Sequence, residues 1–153
     1  MNWKRIIGGG LLAGLILNLG EFGIEPLMGA KIEEFFRRLG LPTPPESVMA
    51  LLAIGAFVLG IIAVWLYAAI RPRYGSGAST AAIAGIAVWA LSCLLPNATM
   101  YAFGLIGSAS LFWLWTLWPL LESVVSTIVG AWIYREADEH RSASRSEVPV
   151  ASR

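Results

Sequence analysis

Charge is what this chain has least of. Lys, Arg, Asp and Glu make up 14% of its 153 residues, where a soluble domain carries about 25%. Apart from Glu21 and Glu122, that charge is confined to Met1–Arg5, Glu25–Glu46, Arg71–Arg73 and the tail from Arg135. A formal net charge of +1 argues against nucleic acid as a partner, since nucleic acid favours a concentrated basic surface. The single cysteine, Cys93, excludes an internal disulfide and a cysteine-rich metal site. The single histidine, His140, sits in the polar tail. No apolar segment therefore offers a histidine to haem or a transition metal, and no cofactor is expected.

What the chain has instead is long apolar runs. Val48–Ile70 is 23 residues without a charge, and about 20 apolar residues cross a bilayer core of roughly 30 Å. Three further runs, near 6–24, 78–95 and 111–134, bring the number of spans to four. The expected fold is all-α: a four-helix transmembrane bundle over residues 1–140, then a disordered polar tail over 141–153.

Proline and glycine punctuate these runs. Lys4 and Arg5 ahead of Ile6–Leu19 begin like a secretory signal. The run is long, however, and no A-x-A site precedes Glu21–Glu25, so the first span is expected to be retained. Pro26 and Gly29 are expected to close it. Lys31–Leu39 then reads as a short amphipathic helix in the membrane interface, with Ile32, Phe35, Phe36 and Leu39 on one face. Pro42, Pro44 and Pro45 end that helix, and Ser47 can cap the second span. Pro96-Asn97 breaks or kinks the third span.

Orientation follows from the basic residues. Lys4, Arg5, Arg71, Arg73, Arg135, Arg141, Arg145 and Arg153 fall on one side of a four-span chain; Lys31, Arg37 and Arg38 fall on the other. Eight against three puts both termini in the cytoplasm, with the chain multi-pass in the cell's inner (cytoplasmic) membrane. The bilayer is then one partner, and a homo-oligomer or a larger membrane assembly is a second.

Few polar groups lie inside the spans. Asn18, Glu21 and Glu25 share one face of the first helix by their spacing, and Gly10 and Gly14 continue it as a small-xxx-small surface. Glu122 lies about 20 Å from Arg135 at 1.5 Å per residue; Asn18 lies about 20 Å and Glu21 about 24 Å from Arg5. Cys93 is also about 20 Å up its helix. The first and fourth helices thus bring Glu122, Asn18 and Glu21 to one level, with Ser126 one turn from Glu122. No Lys, Arg or His lies within the spans to neutralise the acids, and an isolated carboxylate in hydrocarbon costs several kcal/mol. Either Glu122 is protonated, or it shares a proton with Glu21, or a cation sits between them. A protonated Glu122 bonded to Asn18 or Ser126 would serve only to tie two helices. Trp113, Trp115 and Trp118 fit an interfacial aromatic belt. Alternatively, Trp115 and Trp118 wall a pocket for an apolar or cationic ligand. Cys93 reads as a small packing residue.

The layout from Met1-Asn2-Trp3 through the glycine-rich first span, the Glu25–Glu46 loop and Gly130-Ala131-Trp132 resembles small four-span bacterial integral membrane proteins of unassigned function. That resemblance implies a membrane bundle and carries no catalytic residue with it. The small multidrug-resistance exporters are comparable in size and use a glutamate in the first span. Glu21 lies too near the outer end for that pattern, and Glu122 has no counterpart in it. Two functions follow: an accessory or structural membrane component, or a proton- or cation-linked carrier of a small apolar or cationic solute. An enzyme is not expected, because no nucleophile–base pair or metal set accompanies the carboxyls.

Overall fold

A bilayer core offers backbone N–H and C=O groups no partner but each other, so an apolar run must be helical to cross it. The computed structural model describes the backbone of residues 2–146 and the side chains of residues 2–134. Among them every regular element is helical: α1 (Trp3–Arg38), α2 (Glu46–Tyr74), α3 (Ala78–Trp89), a π turn (Ala90–Leu94), α4 (Leu95–Ala102) and α5 (Ala109–Ser146). Four stretches are long and apolar enough to cross a membrane: Trp3–Arg38, Glu46–Tyr74, Ala78–Ala102 and Ala109–Tyr134. The protein is an all-α, multi-pass membrane protein.

Three boundaries differ from expectation. Pro26 does not close the first helix, and the segment expected as a separate interfacial helix is the continuation of α1. A proline removes one backbone donor, whereas a break here would lose the burial of Ile24 and Met28 and the contact of Phe35 with Trp115. At 36 residues, α1 is about 54 Å long and outruns the bilayer core. Pro96 does not end the third span either. A π turn precedes it, with Leu95 N–H donating back to Ala90 O; the wider turn takes up the proline and lets the helix run to Ala102. Finally, α5 runs to Ser146, past the start of the expected disordered tail; the part of that tail beyond residue 146 lies outside the described residues.

The helices form a rhombus. α1 packs against α2 and α5, and α3 packs against α5 and α2. α2 and α5 meet across the short diagonal, and α1 and the third span stand at the ends of the long one. Glycine sets the tightest approaches. A Cβ at Gly14 would lie 2.5 Å from Phe57 Cα, and one at Gly9 would lie 2.5 Å from Gly130 O. These contacts put the start of α1, the end of α2 and the later turns of α5 at one end of the bundle. Lys4, Arg5, Arg71 and Arg73 lie there too, and it is called the basic end below.

Packing is uneven along the membrane axis. The buried residues of α2 are Gly60, Ala63, Val64, Tyr67 and Ala68, all in its half towards the basic end. The core cluster of Tyr67, Ala81, Ala84 and Ala131 lies in that same half. At the far end neither the π turn nor α4 has a buried residue. α2 packs on α3 but on neither of those segments. α2 is thus tightly packed towards the basic end and loosely towards the far end, where Ile24, Met28 and Thr116 of α1 and α5 remain buried.

Overpacking a close helix contact costs about 1–3 kcal/mol. Gly14→Leu should therefore lower unfolding stability in detergent by that amount. Gly8→Leu, at a position with nothing within 4 Å of a Cβ, should leave it unchanged. Equal losses at both sites would remove close α1–α2 packing as the cause.

Candidate functional site

Among the described residues Glu122 is the one buried acidic side chain, at 7% exposure. It sits on α5 where that helix faces α1, and Gly20 is what admits it. A Cβ at Gly20 would collide with Glu122 Oε1 and lie 2.7 Å from its Cδ. Oε1 is enclosed and has no hydrogen-bond partner. Trp118 precedes Glu122 by one turn and faces its carboxyl. The Trp118 indole N–H is likewise enclosed without a partner. The indole N–H and the carboxyl thus face each other one turn apart on α5, short of a well-formed hydrogen bond.

Glu21 follows Gly20 and is exposed. It lies on α1 between the face that meets α2 (Gly14, Asn18) and the face that meets α5 (Gly20, Ile24). Because the neighbouring Gly20 faces the Glu122 carboxyl, Glu21 and Glu122 lie at one level on α1 and α5.

Asn18 and Ser126 are at this depth but not in this group. Asn18 Nδ2 donates to Gly14 O at 2.8 Å and to Ala53 O at 3.2 Å. It continues the Gly10–Gly14 stripe at a spacing of four and so ties α1 to α2. Ser126 Oγ donates to Ser123 O at 3.2 Å and Thr127 Oγ1 to the same carbonyl at 2.6 Å. Both hydroxyls are spent inside α5. Trp115 is drawn away as well: its ring meets Phe35 edge-on, centroids 5.0 Å apart. Trp118 alone of the two flanks Glu122. Trp113 is 54% exposed.

A second polar group had no part in the sequence expectations. Pro119 has no N–H, so Trp115 O loses its i+4 donor and the next carbonyl, Thr116 O, is exposed by the distorted turn. The third span supplies replacements at a spacing of four. Trp89 Nε1 donates to Thr116 O at 2.8 Å, Cys93 Sγ to Trp115 O at 3.3 Å, and Asn97 Nδ2 to Trp115 O at 3.1 Å. Asn97 Nδ2 also lies 3.4 Å from Thr116 Oγ1. Further down, Ser123 Oγ donates to Gly85 O at 2.8 Å. Cys93 is thus a hydrogen-bond donor as well as a packing residue. The signal was present: a proline within one apolar run, and Trp89, Cys93 and Asn97 aligned on another.

Among the described residues no cluster of three His, Cys, Asp or Glu side chains could hold a metal ion. The Cys93 S–H is engaged by Trp115 O. What the site can do chemically is hold a proton, or share one, at Glu122.

Interhelical polar bonds in membranes are worth about 0.6 kcal/mol each. Asn97→Leu should cost about that much in the natural chain and close to nothing in a Pro119→Ala background, where residue 119 again has an N–H for Trp115 O. A double-mutant cycle on unfolding in detergent measures the difference. The same cost in both backgrounds would refute the link between Pro119 and the third-span donors.

No protein-family model, curated protein or solved structure matches this chain. Its function has to be argued from its own geometry.

Proposed function

We propose that this protein is an accessory or structural component of the cell's inner membrane, with both termini in the cytoplasm and with no enzymatic activity of its own. The observation that carries this reading is where the intramembrane polar side chains are spent. Asn18, Trp89, Asn97 and Ser123 each donate to a backbone carbonyl of a neighbouring helix. They hold helices together and line no reaction centre. The distribution of Lys and Arg supports the orientation. The outward side of α2, with Leu51, Leu52 and Ile54 all at least 60% exposed, faces lipid or a neighbouring protein.

A second reading has one observation in its favour. Glu122 Oε1 is enclosed and without a partner, and a polar group left so in hydrocarbon is costly unless it has a use. Glu122 is then the coupling residue of a proton- or cation-linked carrier, with Glu21 beside it.

Two measurements separate the readings. After extraction from native membranes in a mild detergent, an accessory component runs in a stoichiometric complex larger than its own 16.5 kDa. A lone monomer there would overturn the first reading. In proteoliposomes a carrier takes up protons with its solute, and Glu122→Gln abolishes that uptake. Uptake unaltered by the substitution would remove the second reading. A C-terminal fusion reporter should be active only in its cytoplasmic form.

A further inference from the structure

Three of the four spans carry a proline in their far half, and the three lie at one level to within about a turn. Register along α1 and α5 fixes two of them. Gly9 meets Gly130, and Gly20 meets the Glu122 carboxyl, which leans towards the far end as side chains lean towards the start of their helix. The turn 22–26 of α1, closed by Pro26, therefore stands opposite the turn 115–119 of α5, closed by Pro119. Cys93 and Asn97 both donate to Trp115 O, so the π turn Ala90–Leu94 and the Pro96 that follows it share that height. α2 only begins there. Gly10 lies against Ile61, Gly14 against Phe57 and Asn18 against Ala53, and the same register brings the start of α2, at Glu46, level with Glu25.

Helices bend where proline removes a backbone bond or a π turn widens the ladder. On each side of this level the bundle is held to itself. Towards the basic end α1, α2 and α5 meet backbone to backbone at Gly9, Gly10, Gly14 and Gly130, and Gly85 lies against Ser123 O. Beyond the level, three segments are tied together: α1 after Pro26, α4 with the connection 103–108, and the first turns of α5. The Phe35 ring meets Trp115, and the Arg38 guanidinium lies against Gly107. Tyr101 and Phe112 tilt against each other with centroids 5.0 Å apart. Met28 and Ile106 are buried. α2 touches neither the π turn nor α4. The bond from Trp89 Nε1 to Thr116 O crosses the level as a tether.

We propose that these three turns are a hinge, and that the tied far-side segments form a cap that tilts as one body on the close-packed half. A few irregular residues suffice to absorb such a motion, and here each of the three crossing helices has them at the same height. α2 stays with the close-packed half. Trp118 lies in the turn that bends and Glu122 one turn beyond it, and the indole N–H and Glu122 Oε1 are both enclosed without a partner. The tilt of the cap therefore sets the gap between them. The hinge holds under either reading of function, since it needs neither a partner nor transport.

Distances between spin labels on the full-length chain in lipid nanodiscs test this. Cys93 is the only cysteine, and Cys93→Ser clears the background while keeping a donor for Trp115 O. Leu11 paired with Ile83 reports on the close-packed half, Lys31 with Thr99 on the cap, and Lys31 with Ile83 on one against the other; all four positions are exposed. The first two pairs should give narrow distance distributions, and the third a broad or two-peaked one. A third distribution as narrow as the others, or a cap pair as broad as the third, would overturn the proposal. Pro26→Ala combined with Pro119→Ala should narrow the third distribution and leave the first two alone. Breadth that survives both substitutions would refute the proline turns as the hinge. The comparison of the three pairs replaces no proline, so it decides the matter even where the double variant does not fold.

Discussion

Inside a bilayer a polar atom without a partner has no water to fall back on, and this one constraint organises the bundle. It makes the four apolar runs helical. It also decides what happens when proline removes a donor from α5. The carbonyls freed near Pro119 are met by Trp89, Cys93 and Asn97 of the third span, so a defect in one helix becomes the tie between two. The third span answers its own proline differently, with a π turn ahead of Pro96. In both cases the helix continues because the lost bond can be replaced locally or across the interface.

Side-chain size then grades the bundle along its axis. Gly9, Gly10, Gly14, Gly60 and Gly130 let α1, α2 and α5 meet backbone to backbone near the basic end. Hydrophobicity cannot drive that association in lipid, so close van der Waals contact has to. Beyond the level of Gly14 the far half of α2 has no buried residue. α2 is therefore tightly held at one end and loosely at the other, while α1 and α5 stay packed along their length, with Ile24, Met28 and Thr116 buried. Glu122 sits in the notch that Gly20 leaves.

Much of this was legible from residues alone. The four spans followed from runs without charge, because span length is set by bilayer thickness and helix rise. The common depth of Glu122 and Glu21 followed from the same rise per residue. The Gly10–Gly14 surface packs as its spacing implies, against α2. Other expectations failed where a local rule met a long-range contact. Pro26 was read as a stop, but Ile24, Met28 and Phe35 on either side of it are held by tertiary packing. Asn18 shares a face with Glu21 by spacing, yet it donates to Ala53 O and turns to α2. Trp115 was grouped with Trp118 on the Glu122 side of the helix, yet its ring is taken by Phe35.

The sequence by itself determined that this chain crosses a membrane four times and at what height each polar group rides. Both depend on quantities that repeat along a helix, namely 1.5 Å per residue and the absence of charge. Which helix each of those groups faces was decided only by the tertiary structure. Rotation about a helix axis is set by contacts between residues far apart in the chain, such as Gly20 with Glu122 and Asn97 with Trp115. A shift of one residue turns a side chain by about 100° while raising it by only about 1.5 Å, so height survives small errors of reading that direction does not.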